Sequence, residues 1–295
     1  MILRQNALSP FSVVFLGFLL LVSCAGIGPR NKPLDYSGPV IVDHKSAALS
    51  PIPEEAIEAV KSRVKWHYAH TSHGSQLLHG LRFIMKNEPE YAVSVGDRFL
   101  PKTKNALCVF NGQEKYRGVS PERYWRSKEG RKNTRSVLEN NSTINITMWS
   151  WCGQAGTYSK EQVQEYLETM EVFQEAYPEV TFIYMTGHAQ QGGKAGYNRY
   201  QRNNQIRRWV KNNPEKNRVL FDFADLDSWW YNNEARQWEQ ATYQYGHGRD
   251  RLAIPIEHPR HNGNEIAHTT PESCIKKGRA VWWMFSRLVG WNPGL

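Results

Sequence analysis

Apolar and polar positions along the chain alternate in a way that predicts helix and strand in turn. Pro51 and Pro53 open a helical stretch reaching Arg63, in which Ala56, Ile57, Val60 and Val64 recur at helical spacing. Val64–Lys65–Trp66–His67–Tyr68–Ala69 reads as a strand, and a helix follows from about 74 to 86. Residues 88 to 142 read as an irregular insertion. Ile144 to Trp149 is a β-branched strand, and Lys160 to Ala176 sets Val163, Tyr166, Leu167, Met170 and Phe173 on one helical face. Val180 to Met185 is almost continuously apolar, as in a strand buried on both faces. A helix from about Arg199 to Lys211, a strand at Val219 to Phe223 and a helix from Lys277 to Leu288 complete the series. This alternation predicts an α/β fold: a mostly parallel sheet with helices on both faces.

The N-terminus changes the picture. Arg4 precedes the apolar run Val13 to Val22, and Leu21–Val22–Ser23–Cys24 resembles a lipoprotein cleavage box. The run is short for a bilayer span, so residues 1–23 are expected to be a signal peptide. Cys24 would then carry the lipid, residues 24–50 would form a tether and linker, and residues 51–295 a single domain. The expected location is the cell envelope, held to a membrane by that anchor, and a monomer is expected.

The formal charge of +9 is spread through the chain without the basic run typical of nucleic-acid binders. A nucleic-acid partner is therefore not expected, whereas an anionic polysaccharide suits such a surface. Eleven tryptophans and fourteen tyrosines include several in polar company: Tyr124–Trp125, Trp149–Ser150–Trp151, Trp229–Trp230–Tyr231 and Trp238. Flat rings beside polar groups suit sugars, although ring-rich cores are commoner. Cys108, Cys152 and Cys274 would allow one disulfide and leave one thiol over. Neither a CxxC pair nor His/Cys ligand spacing is present, so no structural metal and no cofactor are expected.

Candidate chemistry gathers where strands end. The first long strand empties into His70–Thr71–Ser72–His73–Gly74–Ser75, crowding imidazoles and hydroxyls into one turn. Ser72 is the preferred nucleophile there, with Ser75 as the alternative, and either can instead cap the following helix. Gly153 and Gln154 follow the next strand, and Gly187, His188 and Gln190 the one after. Their N–H and side-chain groups could receive an oxyanion or substrate. Glu265–Ile266–Ala267–His268 puts an imidazole three residues after a carboxylate, just before the last helix. Asp222, Asp225 and Asp227 are alternative orienting acids, or partners of the histidines around a cation.

On these residues the chain resembles the SGNH (GDSL-like) hydrolase superfamily, as a divergent exported lipoprotein branch. The resemblance implies a three-layer α/β/α, flavodoxin-like fold, a nucleophilic serine after the first strand and an Asp-x-x-His motif near the C-terminus. Ser72 takes the position of the nucleophile, Gly153 that of the oxyanion glycine, and Glu265 and His268 that of the Asp-x-x-His pair. The chain departs from the pattern in two places. His70–Thr71 replaces Gly-Asp before Ser72, and Gly187–His188–Ala189–Gln190 replaces Gly-x-Asn-Asp. The implied activity is serine-dependent ester hydrolysis on an acylated polysaccharide. A non-catalytic glycan-binding lipoprotein on the same fold is one alternative. A metal-dependent or lyase-type enzyme using His70, His73, His188 and the aspartates is the other.

Overall fold

A computed structural model describes residues 33–294. The expected signal peptide and Cys24 lie outside the described residues. The centre is a seven-stranded sheet in which every pairing is parallel. Its strands are β1 (Val40–Val42), β2 (Lys65–Ala69), β3 (Val93–Asp97), β4 (Leu107–Asn111), β5 (Ile146–Trp149), β6 (Thr181–Met185) and β7 (Val219–Phe221), in the order β1-β7-β6-β5-β2-β4-β3. Helices α1 (Glu54–Arg63), α2 (Ser75–Asn87) and α8 (Pro271–Leu288) pack together. Helices α5 (Lys160–Ala176) and α6 (Gly193–Lys211) pack together as well, and lie against β6. The architecture is the expected α/β fold, consistent with a three-layer, flavodoxin-like arrangement.

The segment 88–142 is more regular than its sequence suggests. It supplies β3 and β4 of the sheet, together with α3 (Pro121–Tyr124) and α4 (Lys128–Asn140). Charged and glycine-containing stretches such as Ser94–Val95–Gly96–Asp97 hide an edge strand, because its buried positions, Val93 and Gly96, do not alternate with the strand period. The sheet also begins earlier than residue 51. Val40–Ile41–Val42, placed by sequence in the linker, pairs with Val219–Leu220–Phe221 as the opposite edge strand.

Two helices begin well before their apolar repeats. In α8 the cause is a cap: the Thr270 hydroxyl accepts from Ser273 N–H, and Pro271 occupies the first turn. In α6 the first turn, Gly193–Lys194–Ala195–Gly196, has weak propensity. It is held from outside, where the Tyr243 hydroxyl donates to the Gly193 carbonyl at 3.0 Å.

The remaining strands form two antiparallel hairpins, β8 (Trp229–Asn232) with β9 (Gln237–Gln240) and β10 (Thr242–Tyr245) with β11 (Leu252–Pro255). They follow the short helix α7 (Phe223–Ser228) at the end of β7.

The aromatic residues divide between two roles. Trp125, Trp149, Trp151 and Tyr166 are fully buried, with ring centroids 5.0–6.0 Å apart, and so belong to the core. Trp230, Tyr231, Trp238, Tyr243 and Tyr245 lie on the two hairpins, half-buried or exposed.

Two features of this topology place the functional residues. First, β2 has β4 on one side and β5 on the other, so the chain reverses its direction across the sheet between β2 and β5. Parallel sheets bind ligands beyond the carboxyl ends of strands at such a point. Second, α2 and α8 approach backbone to backbone at two glycines. A Cβ on Gly80 would meet the Cys274 carbonyl oxygen at 1.8 Å, and one on Gly278 would meet Gly80 at 2.6 Å. This crossing carries the segment before α8 to the start of α2, where the Gln76 side chain donates to the Ala267 carbonyl at 2.7 Å.

Candidate active site

At the switch point, the turn after β2 meets the turn after β5. Thr71 to Gly74 lead into α2, and Cys152 immediately precedes a 3-10 turn, Gly153–Gly156. Sulfur is at the focus. His73 Nδ1 lies 3.0 Å from Cys152 Sγ, and the Ser72 hydroxyl lies 3.4 Å from it. The other ring nitrogen of His73, Nε2, is 2.8 Å from Gln190 Oε1. Gln190 is itself held. Its Nε2 donates to Glu257 Oε1 at 3.0 Å and to the His268 carbonyl. Its backbone carbonyl receives the Arg199 guanidinium, and its N–H donates to His188 Nδ1 at 3.1 Å. With both amide hydrogens donated, Oε1 is the atom left to face His73. The chain of contacts runs thiol, imidazole, amide, carboxylate.

The electrostatics favour a charged pair. Burial pushes the Cys152 thiol up. Hydrogen bonds from His73 and Ser72, the charge of His73 and the Thr71 hydroxyl outweigh that and bring it down to about 5. For His73, burial opposes the charge, but the hydrogen bonds to Cys152 and Gln190 and the nearby sulfur charge raise its pKa above the ordinary value. The two shifts belong to one coupled pair, and both favour thiolate and imidazolium near neutral pH. The sulfur also sits beside the turn that opens α2, a setting that further suits a thiolate. His188 stacks on His73 with ring centroids 4.0 Å apart and planes 7° apart. Burial and the positive charge of His73 hold His188 well below its ordinary pKa, so a neutral ring lies against a charged one.

A rigid polar base supports these loops. Lys277 and Asp227 form a fully buried ion pair at 2.7 Å, and Asp227 Oδ2 accepts from Ala189 N–H. Burial and the Asp227 charge raise Glu257 to about 7. The last contribution comes from Ile266–Ala267–His268–Thr269. It is a tight turn closed by Ile266 N–H to Thr269 O at 3.1 Å and Thr269 N–H to Ile266 O at 3.0 Å. Ala267 and His268 sit at φ +50° and +72°, the left-handed region that costs a side-chain-bearing residue free energy. That strain aims the His268 carbonyl at Gln190 and brings the His268 ring to 4.8 Å from that of His73.

Of the residues singled out from sequence, the structure gathers Ser72, His73, His188, Gln190 and His268 within one cluster. Ser72 bonds to sulfur rather than to an imidazole, and the ring of His268 meets His73 rather than Ser72. The Glu265 carboxylate lies over the Gly263 backbone, and no hydrogen bond links it to His268 among the described residues. The Ser72–His268–Glu265 arrangement is therefore not assembled as a hydrogen-bonded triad.

The remaining candidates have other tasks. His70 spends Nδ1 on the Thr71 carbonyl and Nε2 on Asn111 Oδ1, both at 2.8 Å, which makes it a strut. The Gly187 N–H is taken by Asn203 Oδ1 at 2.8 Å, so it is no oxyanion donor. Gln154 Oε1 accepts the Cys152 N–H at 2.8 Å and sets the sulfur-bearing turn. A Cβ on Gly153 would meet nothing within 4 Å, so the turn is open at the residue after Cys152. Ser75 caps back onto the Ser72 carbonyl at 2.7 Å.

The three aspartates serve three separate partners: Asp222 binds Arg207 through two contacts, Asp225 binds His44, and Asp227 binds Lys277. Asp43, His44 and Asp225 do place ligand-type atoms within 4.8 Å of one another, but His44 Nδ1 is already engaged with Asp225 at 2.6 Å. Cys108, Cys152 and Cys274 are all free thiols, so the disulfide that the sequence allowed is not formed.

Sequence reasoning missed Cys152, having counted it for disulfides alone. A signal was there: like Ser72, it follows a predicted strand, and it is flanked by Gly153. The chain matches no family model, and no curated protein matches it.

Proposed function

We propose that the protein is an acyl-transfer enzyme of SGNH-like architecture in which Cys152, not Ser72, is the nucleophile and His73 its acid–base partner. The observation that carries this reading is the 3.0 Å contact between Cys152 Sγ and His73 Nδ1, with Gln190 orienting the far side of the ring. A nucleophile, a base and a group that orients the base are what covalent acyl transfer requires.

The thiolate attacks the carbonyl carbon of an ester, and the carbonyl electron pair moves to oxygen. The Ser72 hydroxyl lies 3.4 Å from the sulfur, and the N–H groups of Ser72 and His73 have no protein acceptor among the described residues; these are the donors free to receive that charge. His73 then gives its Nδ1 proton to the departing alcohol oxygen as the tetrahedral species collapses to a thioester. In the second half, neutral His73 takes a proton from water while the resulting hydroxide attacks the thioester. Thiolate leaves, and the acid is released.

The two aromatic hairpins support an acylated glycan as substrate. Chain from β11 runs directly into Glu257, whose N–H donates to the Ala189 carbonyl at 2.9 Å. On the neighbouring strand β10, the half-exposed Tyr243 ring packs on Gly192 and its hydroxyl donates to the Gly193 carbonyl, so a flat ring borders the loop that carries His188 and Gln190, as a sugar would require. A lipid-anchored place in the cell envelope belongs to the same proposal.

The test is acetyl release from 4-nitrophenyl acetate and from acetylated oligosaccharides, with mass analysis of the trapped enzyme. Cys152→Ala is expected to abolish turnover, and the wild type to carry acetyl on Cys152. Ser72→Ala, which removes one contact to the sulfur, should retain measurable turnover. If instead Cys152→Ala is active and Ser72→Ala is inert, the nucleophile is Ser72. A wild type that binds glycan but cleaves no ester would leave the binding-protein reading.

A further inference from the structure

The opposite edge of the sheet, at the amino ends of β2, β4 and β5, carries a cavity of about 850 Å³, well away from Cys152. Lys61 and Arg63 from α1, Lys65 from β2, and Lys102 and Lys104 from the loop before β4 line it, and no aspartate or glutamate does. Most of the other lining residues carry an amide or hydroxyl, among them Ser62, Asn105, Asn141 and Ser142, and apolar surface from Leu100, Pro101 and the lysine stems lies between them.

Three of the cations are fixed in place. Lys65 Nζ donates to the carbonyls of Ser62 at 3.0 Å and Val64 at 3.2 Å, at the C-terminal end of α1, where the helix dipole favours a cation. Arg63 reaches the Val289 carbonyl at 3.3 Å and Asp35 at 3.0 Å, and Lys61 pairs with Glu58. Asp35 and Glu58 offset the charge of Arg63 and Lys61 from outside the cavity wall, which leaves Lys65, Lys102 and Lys104 as its cations without an acidic partner among the described residues. Lys102 and Lys104 are exposed at its rim.

Cations already held by protein groups lose little freedom when a ligand arrives. A concave wall of one sign also focuses the field on whatever enters. The volume lies within the range of pockets for organic ligands and far exceeds what a lone inorganic ion needs.

We propose that this cavity binds an anionic oligosaccharide, a sugar chain bearing carboxylate or sulfate, with the cations meeting the charge and the amides and hydroxyls meeting the sugar hydroxyls. It would hold such a chain on the face opposite the thiol centre, and it does not depend on any activity there.

Calorimetric titration of the full chain tests this, using oligogalacturonate, a sulfated disaccharide, a neutral cello-oligosaccharide and inorganic phosphate, with vesicles containing acidic lipid in a parallel sedimentation assay. Oligogalacturonate or the sulfated sugar should bind, more weakly as salt rises, and the neutral sugar should not. The double substitution Lys102→Glu with Lys104→Glu should weaken binding by about tenfold or more. The rate of Cys152 alkylation and the melting temperature should stay unchanged, since both lysines are exposed. Three results would overturn the proposal: equal binding of the neutral sugar, phosphate binding as tight as that of the anionic sugars, or binding indifferent to the two lysines. Lysine-dependent capture by vesicles without binding of free oligosaccharide would also overturn it, and would identify a membrane-facing surface.

Discussion

Cys152 and Cys274 are the same side chain in two opposite environments. Cys274 is completely buried on α8 where that helix crosses α2 at Gly80. Burial pushes its thiol up to about 11. Cys152 is partly buried too, and burial alone would act on it in the same direction. It ends at about 5 because His73 and Ser72 offer donors to the sulfur and His73 offers charge. The contrast teaches that burial alone does not decide the direction of a thiol's shift. Donors and a counter-charge at the sulfur decide whether a buried cysteine is inert packing or a nucleophile.

The largest expected effect separates the two sulfurs outright. Cys152→Ala should remove acyl transfer and the fast phase of iodoacetamide labelling together. Cys274→Ala should leave both intact and cost about 1 kcal/mol of stability through lost packing, read by denaturant unfolding. Equal labelling of both cysteines in the folded protein would erase the contrast.

Removing the counter-charge is the next step down. His73→Ala should return Cys152 to or above its ordinary thiol pKa. At pH 6 the thiolate fraction would then fall by about 10³. A more basic thiolate is intrinsically more reactive and recovers about 10² of that, so alkylation should slow about tenfold. In the wild type, alkylation should climb through a midpoint near 5, because the depressed pKa belongs to the thiol. Ester turnover should add an alkaline limb where His73 loses its proton, above its ordinary value because its shift is upward. A midpoint for alkylation near the ordinary thiol value would break the argument.

Much of the scaffold was legible in the sequence. The buried strands at 65–69, 146–149 and 181–185 and the amphipathic helix Lys160–Ala176 follow directly from their apolar periods. The edge strands β1 and β3 were not legible. An edge strand of three to five residues, only partly buried, carries too little pattern to separate from a loop.

At the site, the turn His70 to Ser75 and the His188–Gln190 loop were anticipated from their positions after strands, and the approach of His268 from its position just before the last helix. Which atom would be the nucleophile was not. That choice depends on ångström-scale geometry: whether an imidazole nitrogen points at Ser72 Oγ or at a sulfur brought in from 80 residues away. Sequence adjacency drew attention to Ser72, and only the pairing of β2 with β5 brings Cys152 beside it.

Gln190 supplies a smaller effect that refines the contrast. It touches neither sulfur, yet it fixes the His73 ring on which the low pKa of Cys152 depends. Gln190→Ala should therefore lower turnover more than it slows alkylation, since alkylation needs only the thiolate whereas turnover needs His73 aimed at the leaving group. Equal losses in the two assays would mean that Gln190 merely holds the loop together.

The smallest expected effect lies furthest from the sulfur. Ala267 adopts φ +50° in the turn that presents the His268 carbonyl to Gln190. Left-handed backbone costs a side-chain-bearing residue roughly 1–2 kcal/mol, and glycine escapes that cost but loses more freedom on folding. Ala267→Gly should thus raise stability by no more than about 1 kcal/mol. If the turn's conformation is imposed by Gln76, Gln190 and the start of α8, alkylation of Cys152 and its pH midpoint will not move. If Ala267 itself holds the turn, the more flexible glycine will loosen His268, and turnover will fall although the protein melts no earlier. Measuring both on one variant shows whether the strain in this turn sustains the site or is merely tolerated by it.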